Sequence, residues 1–264
     1  MNILDRVTAC DIAYMKCFCE TKEKPDFIKF QDDLIPDMHG HNYIWVKNVE
    51  NDNAFIQLIE SEIINNKKSG KNFCLIRCHT HINHSILTQL SHVPEVSVSG
   101  YYAVDVSNPS NLSILSDSNK IKDCRVLKVN DAEMVEDILK LDLEHDEKEL
   151  GREFCTRRVY RRKEVYLSNK GVDSYICYRN DKPVGNCDLF IHNGAAKIED
   201  FAVSPRHQRK GYGTAILKSL IETALEKNVD IVYLEADEDS TAKEMYKKLG
   251  FVKVTDFTDL LFSF

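Results

Sequence analysis

The sequence has 264 residues, a length that suits about two domains of ordinary size. Hydrophobic residues make up 43% of it and charged residues 29%, so the chain can bury an apolar core and disorder is excluded as its main state. The formal net charge is −7, from 35 basic and 42 acidic residues, which excludes a general attraction to nucleic acids or anionic membranes.

The first part of the chain has the residue pattern of a mixed α/β segment. The predicted elements are a strand at 41–49, an amphipathic helix at 54–66, and strands at 72–78 and 96–106. Residues 107–119 follow, and eight of these thirteen residues are Ser or Asn, which compete with regular backbone hydrogen bonding. We therefore predict an N-terminal mixed α/β domain at residues 1–120 and a second domain at residues 121–264.

The second part of the chain has clearer element boundaries. Its predicted strands are 124–129, 174–179, 184–191, 196–203 and 231–236, its predicted helices are 131–144, 152–167, 211–227 and 241–249, and a closing hairpin is predicted at 251–264. Turn signals at Asn180-Asp181 and Asn193-Gly194 predict hairpins, and apolar residues from Ile216 to Leu225 predict a helix packed on a sheet. The fold class predicted is α+β, with a mixed, mostly antiparallel sheet flanked by helices.

One segment has the composition of an anion-binding site. Residues 203–214 read VSPRHQRKGYGT, a polar and basic stretch with two glycines that runs directly into a predicted helix. The first turn of a helix exposes unpaired N–H groups at the positive end of its dipole, and glycine lets oxygens approach that backbone. We therefore predict that residues 208–214 bind an anion. The P-loop and Rossmann glycine patterns are absent from the sequence, which argues against the nucleotide sites that those patterns form.

Three segments in a fixed order connect this loop to a known family. They are IEDFAV at 198–203 leading into the loop, LEAD at 234–237, and AKEMYKKLGF at 242–251. In this order they resemble the GNAT family of acetyl-CoA-dependent N-acetyltransferases, over about residues 122–264. The resemblance implies the acyl-CoA N-acyltransferase fold. The family includes two-domain members whose first half is a degenerate copy of the fold, and this is one interpretation of residues 1–120.

The resemblance also implies where acetyl-CoA binds. Backbone groups of the segment Phe201, Ala202 and Val203 would pair with the pantetheine arm. The amides of Gln208, Arg209, Lys210, Gly211, Tyr212, Gly213 and Thr214 would hold the pyrophosphate. The family often has Asn at the position of Asp239, and the Asp here either weakens a contact to the coenzyme or caps the final helix.

The reaction needs a base and an acid. An alkylammonium of pKa about 10.4 must lose a proton before it attacks a thioester, at a cost of roughly 4.6 kcal/mol at pH 7. Glu199, Phe201 and Val203 alternate along the predicted strand and so lie on the same face of it. We therefore expect Glu199 to face the cleft and act as the base. The alternative is a surface or ion-paired carboxylate. Asp200 should point the other way. Tyr246 is the predicted acid for the departing thiolate, unless it is only a core tyrosine.

Two further groups of residues receive no role. The cluster Cys74, Cys78, His79 and His81, to which His39-Gly-His41 adds two more metal-capable groups, lacks the ligand spacing of a zinc site, so we predict no metal. The arginines between Arg152 and Lys163 are interpreted as a solvated helix face rather than an RNA-binding site.

The sequence therefore predicts an enzyme that moves acetyl from acetyl-CoA to a primary amine by direct attack in a ternary complex. Nine cysteines, an odd number, and the lack of a secretory pattern in the first twenty residues predict reduced thiols and a cytoplasmic location. No nucleic-acid or membrane partner is expected. The alternative is a non-catalytic acyl-CoA-binding sensor. The acceptor, whether a small amine, an amino acid derivative or a protein amino group, and the oligomeric state stay open.

Overall fold

The computed structural model of the protein describes residues 2–48, 51–79, 82, 84–112, 124–168 and 170–264. The chain forms two compact units, and each unit draws on separate stretches of sequence. The first unit comprises Met1–Cys17, Tyr102–Glu235 and Glu244–Val254. The second unit comprises Phe18–Tyr101, Ala236–Lys243 and Thr255–Phe264.

Helices and strands follow one another along the described chain in a mixed order. The α-helices are α1 Ile3–Met15, α2 Asp52–Lys68, α3 His84–Leu87, α4 Ala132–Leu150, α5 Arg152–Tyr166, α6 Tyr212–Glu226 and α7 Ala242–Lys248. The strands are β1 Glu20–Glu23, β2 Phe27–Gln31, β3 Ile44–Val46, β4 Phe73–Cys78, β5 Glu95–Asp105, β6 Cys124–Lys128, β7 Val172–Arg179, β8 Lys182–His192, β9 Ala195–Val203, β10 Ile231–Asp237 and β11 Val252–Ser263. Short 3₁₀ turns lie at His39–His41, Pro109–Leu112 and Pro205–His207.

The first unit is built on consecutive strands in the order β6, β7, β8, β9 and β10. The pairs from β6 to β9 are antiparallel, and β9 pairs with β10 in parallel. Both predicted hairpin turns are confirmed, because Asn180, Asp181, Asn193 and Gly194 all have the positive φ that a tight two-residue turn requires. Helix α6 buries its predicted apolar stripe and, like α1, packs against β8 and β9.

The second unit has the strand order β1, β2, β3, β4 and β11. Neighbouring strands pair antiparallel except β3 and β4, which are parallel and are joined through helix α2. Its core is apolar, with Phe55, Ile59 and Ile63 of α2 packed among Ile44, Ile76 and Leu260. These three residues of α2 lie within the amphipathic helix predicted at 54–66.

Several predicted elements need correction. Residues 251–264 do not form a hairpin, because β11 is one strand that pairs antiparallel with β4 from Thr258 opposite Cys78 to Ser263 opposite Phe73. The strand predicted at 41–49 is a 3₁₀ turn followed by the short β3, and the helix predicted at 131–144 continues to Leu150. Helix α1 was not predicted, although Asn2 and Asp5 form a capping box at its start.

The domain prediction divides the chain between residues 120 and 121, which lie outside the described residues, and it stays a prediction. The compact units are not two consecutive halves of the chain. Residues 255–263 belong to the second unit because β11 completes its sheet beside β4. Among the described helices, none is long and apolar enough to cross a membrane.

Candidate active site

A cavity opens where two parallel strands of the first unit stop pairing. The register of β9 and β10 runs from Ala195 opposite Ile231 to Ile198 opposite Leu234. Next to the end of this register lies a cavity of about 300 Å³. Its walls are formed by His145, Asp146, Ile198, Glu199, Asp200, Phe201, Ala202, Leu234, Glu235 and Tyr246. The fold thus brings Glu199 and Tyr246, the two residues predicted to be catalytic, to one cavity.

A β-bulge shapes the wall that β9 contributes. In the pairing with β8, Asp188 lies opposite Glu199 and Asn186 opposite Ala202, so β9 has one residue more than β8 between these pairs. Asp200 lies in this bulge and has a φ of 51°, in the left-handed region. The predicted alternation of side chains along this strand is therefore wrong beyond Glu199. Asp200, which was expected to point away from the cleft, lines the same cavity. A left-handed conformation at a residue other than glycine costs about 1 kcal/mol or more.

Buried side chains from two other elements contact Asp200. Asn186 on β8 donates from Nδ2 to the carbonyl oxygen of Asp200 at 3.0 Å. Arg162 on α5 forms an ion pair with the Asp200 carboxylate, and its side chain is only 10% exposed. Both the backbone and the side chain of the bulge residue are therefore held in place.

The basic helix is only in part the solvated face that we predict, because Arg152 is exposed but two other arginines are not. Besides Arg162, Arg158 is mostly buried and its Nη2 lies 2.7 Å from Oδ1 of Asp142. It also contacts Oδ2 of Asp146 at 2.5 Å. Both arginines are drawn inward because partly buried carboxylates of the same unit pair with them, and a count of charges along the helix does not reveal those partners.

Glu199 belongs to a buried charge cluster around Lys197. The Lys197 side chain is 3% exposed, and its Nζ lies 2.8 Å from Oε2 of Glu199 and 3.0 Å from Oε1 of Glu235. It also pairs with Asp11 on α1. Burial favours the neutral amine, but the three carboxylates outweigh burial and raise the pKa of Lys197 well above its usual value. Lys197 therefore stays protonated.

Sequence reasoning missed most of this cluster. Lys197 and Glu199 stand two residues apart on one strand, which places both on the same face and is the one local signal available. Asp11 lies far away in the chain and joins the cluster only through the packing of α1 against β9.

A second buried carboxylate, Asp188, lies beside the bulge on β8. It is fully buried and accepts a hydrogen bond from the Tyr166 hydroxyl at 2.8 Å, and Tyr14 approaches it at 3.4 Å. Burial, with the nearby charge of Asp200, raises the pKa of Asp188 to about 7, although Arg162 opposes the shift. This carboxylate therefore holds its proton at a higher pH than an exposed Asp.

Tyr246 lies on α7 with its ring 6.4 Å from that of Phe201 and 6.2 Å from that of Phe251. It is 6% exposed and lines the cavity. Burial, followed by the charges of Cys187 and Glu199, raises the pKa of its hydroxyl. Tyr246 therefore keeps its proton near neutral pH, as a proton donor must.

The predicted anion-binding loop leads into α6. Gly211 has a φ of 87° at the N-cap, and no side chain caps the helix there. A Cβ added at Gly213 would lie 3.3 Å from Cζ of Phe201, so the first turn of α6 approaches the bulged segment of β9 closely. This contact places the loop beside the cavity.

Three side chains of the loop contact other groups of the protein. Gln208 donates from Nε2 to the Val203 carbonyl at 3.1 Å, and Lys210 donates from Nζ to the Arg206 carbonyl at 2.6 Å. Tyr212 is 3% exposed, with its ring beside that of His207. An anion held here would therefore be bound by backbone amides, with the exposed Arg209 nearby.

The remaining residues singled out in the sequence do not line this cavity. Asp239 belongs to the second unit, and its amide donates to Oδ1 of Asp237. Ser240 Oγ accepts a hydrogen bond from the Ala242 amide at 3.1 Å, and the role of Asp239 stays a prediction. His81 of the Cys/His cluster lies outside the described residues. The described part of the chain has no group of three or more His, Cys, Asp or Glu residues suited to a metal ion.

Comparisons with known proteins agree with this geometry. Residues 134–251 match the model of the acetyltransferase (GNAT) family. Over 83 residues the chain is 35% identical to an uncharacterized N-acetyltransferase, CgeE, of Bacillus subtilis (strain 168), and the match covers 30% of this chain and 32% of that protein. The chain thus spans about a third of the length of this curated relative.

Solved structures extend the likeness over nearly the whole chain. A GCN5-related N-acetyltransferase from Kribbella flavida superposes with a TM-score of 0.72 at 12% identity, over 99% of this chain and 96% of that one. A tandem GNAT protein from the clavulanic acid biosynthesis pathway gives a TM-score of 0.60 at 10% identity, over 97% of this chain and 95% of that one. At such identities the likeness concerns the fold, and it is the acyltransferase fold expected from the sequence. Residues 134–251 therefore carry a domain of the GNAT acetyltransferase family.

Proposed function

We propose that this protein is an N-acetyltransferase that moves an acetyl group from acetyl-CoA to a primary amine by direct attack in a ternary complex. The main support for the proposal is the cavity beside the end of the β9–β10 pairing, which is lined by both Glu199 and Tyr246. The family assignment of residues 134–251 supports acyl transfer in general.

Acetyl-CoA is the proposed acyl donor, and the uncapped start of α6 fits its diphosphate. The amides of residues 208–214 lie at the positive end of the helix dipole, and Arg209 and Lys210 add charge. We place the pantetheine arm along residues 201–203 of β9. Pairing at the Val203 carbonyl would replace the hydrogen bond that Gln208 now donates to it.

Glu199 is the proposed base. The acceptor enters as an ammonium ion, gives a proton to the Glu199 carboxylate directly or through water, and its nitrogen then attacks the thioester carbonyl carbon. Lys197 Nζ, at 2.8 Å from Oε2, positions this carboxylate at the cavity.

Tyr246 is the proposed acid. As the tetrahedral intermediate collapses, the carbon–sulfur bond breaks and the thiolate takes the phenolic proton, while the second proton lost by the acceptor nitrogen reprotonates the phenolate. The role rests on the position of Tyr246 in the cavity, since the raised pKa keeps the hydroxyl protonated but also makes it a weaker acid.

The charge of the cavity favours a cationic acceptor. Its lining includes the carboxylates of Asp146, Glu199, Asp200 and Glu235. Arg158, Arg162 and Lys197 pair with them from outside the lining, but Lys197 alone is shared by three carboxylates, so negative charge is in excess. A carboxylate next to the acceptor amine would be repelled by these walls. We therefore favour an amine without an adjacent carboxylate over an amino acid.

The topology of the second unit supports the interpretation of residues 1–120 as a degenerate copy of the fold. Strands β3 and β4 are parallel and connected through α2, as β9 and β10 are connected through α6. A tandem GNAT protein is among the proteins that share the fold.

The proposal is tested first at the coenzyme and then at the acceptor. In a thermal-shift comparison, acetyl-CoA and CoA should raise the melting temperature and ATP should not. Release of CoA is then measured across diamines, amino sugars and amino acids. Stabilisation by acetyl-CoA with no CoA release above buffer for any amine would favour the acyl-CoA-binding sensor instead.

A further inference from the structure

We infer that Arg162 is a positioning residue: it holds Asp200 in the bulge conformation and so keeps the wall of the cavity in the arrangement that the proposed acetyl transfer uses. The link between Arg162 and acetyl transfer rests on the proposed function. The residue that would act on the substrate is Glu199, and Arg162 acts through the backbone next to it.

The first step of the argument is the conformation of Asp200. Its φ of 51° lies in the left-handed region, which is unfavourable for a residue with a Cβ in a strand. Such a conformation persists only where surrounding contacts fix it.

The second step is that the contacts on Asp200 come from two separate elements. Asn186 of β8 binds the carbonyl oxygen at 3.0 Å, while Arg162 of α5 pairs with the carboxylate. Both partners are buried, with Asn186 5% and Arg162 9% exposed. A hydrogen bond on the carbonyl and an ion pair on the side chain together leave the peptide little freedom to turn.

The third step links this conformation to the cavity. Residues 199–202 all line the cavity, although consecutive residues of a regular strand alternate between its two faces. If the bulge relaxed into a regular pleat, alternate residues would turn away from the cavity. Loss of the bulge would therefore change the cavity wall beside Glu199. It would also change the direction of the strand at residues 201–203.

The test separates a backbone role from simple charge balance. Two double variants, Arg162→Met with Asp200→Gly and Arg162→Met with Asp200→Ala, both remove the ion pair without leaving an unpaired charge from it. Only glycine adopts a positive φ without strain. We expect the glycine variant to bind acetyl-CoA within threefold of wild type and the alanine variant to bind at least fivefold more weakly than the glycine variant.

Equal affinities in the two double variants would overturn the inference, since charge balance alone would then explain the ion pair. Hydrogen exchange of residues 199–203, measured without ligand, gives a readout that does not depend on acetyl-CoA. Faster exchange is expected in the alanine variant than in the glycine variant, and equal exchange would contradict the inference. Arg152→Met, at an exposed position of the same helix, is the matched control and should match wild type in both measurements.

A failure of the proposed function is recognised separately. If wild-type protein does not bind acetyl-CoA, the proposed function fails, while the exchange comparison still shows whether the bulge needs support at residue 200 once the ion pair is removed. If wild type binds acetyl-CoA and both double variants behave alike, the inference alone fails.

Discussion

The ammonium of Lys197 lies 2.8 Å from a carboxylate oxygen of Glu199, two residues further along β9. The same ammonium also contacts Asp11 and Glu235, so the proposed base is one of three carboxylates that share a single buried cation. When Glu199 takes up a proton, the other two carboxylates still neutralise Lys197. The cluster can therefore accept the proton without leaving an uncompensated buried ammonium.

Replacing Glu199 with Gln keeps the size of the side chain and removes its ability to accept a proton. We expect turnover to fall at least tenfold and the pH profile of the rate to shift, with acetyl-CoA affinity within about twofold of wild type. CoA release measured between pH 5 and 9 checks both points. Glu149→Gln, at an exposed position of α4, is the control, and an identical pH profile for the Glu199 variant would remove Glu199 from the mechanism.

Replacing Tyr246 with Phe deletes one hydroxyl and preserves the ring that packs between Phe201 and Phe251. We expect acetyl-CoA to bind as it does to wild type, while turnover falls at least tenfold because the thiolate loses its proton donor. Calorimetric binding and steady-state kinetics separate the two effects. An unchanged rate would show that Tyr246 has only a packing role.

Replacing Lys197 with Met leaves three carboxylates without the cation that they share. Removal of one partner from a buried ion pair typically costs 3–5 kcal/mol, and we expect a loss of about this size in the free energy of unfolding. Denaturant titration of the variant against wild type measures it. Lys140→Met removes an exposed cation of α4 and should change stability by less than about 0.5 kcal/mol. Equal losses in the two variants would argue against the charge cluster.

The raised pKa of Asp188 predicts a pH dependence of stability. In the folded protein its pKa is about 7, whereas in the unfolded chain it is close to the ordinary value of about 3.9. Between these values the folded state binds more protons than the unfolded state, so the contribution of this group to stability falls as pH rises from about 4 to about 7, by at most about 1.4 kcal/mol per pH unit.

Asp188→Asn removes that contribution while retaining an amide that the neighbouring tyrosine hydroxyls can contact. The difference in unfolding free energy between wild type and variant should therefore change steadily across this pH range in favour of the variant. Denaturant titrations at pH 4.5, 5.5, 6.5 and 7.5 measure it. A difference that does not vary with pH would contradict the prediction.

The sequence by itself determined the elements that depend on neighbouring residues. The Asn180-Asp181 and Asn193-Gly194 turns, the apolar stripe of α6 and the polar loop that precedes it were all predicted, because turn conformation and helical periodicity are set within a few residues. The joint order of the three motifs likewise predicted the family before any fold was known.

The tertiary structure decided the features that depend on distant partners. The bulge at Asp200 exists through contacts from α5 and β8, and its one extra residue reverses the faces that strand alternation predicts. Asp11 reaches Lys197 from the other end of the chain, and β11 becomes a single strand because β4 lies available to pair with it. No local pattern encodes such pairings, since the free energy that selects them comes from burial and charge neutralisation between segments far apart in sequence.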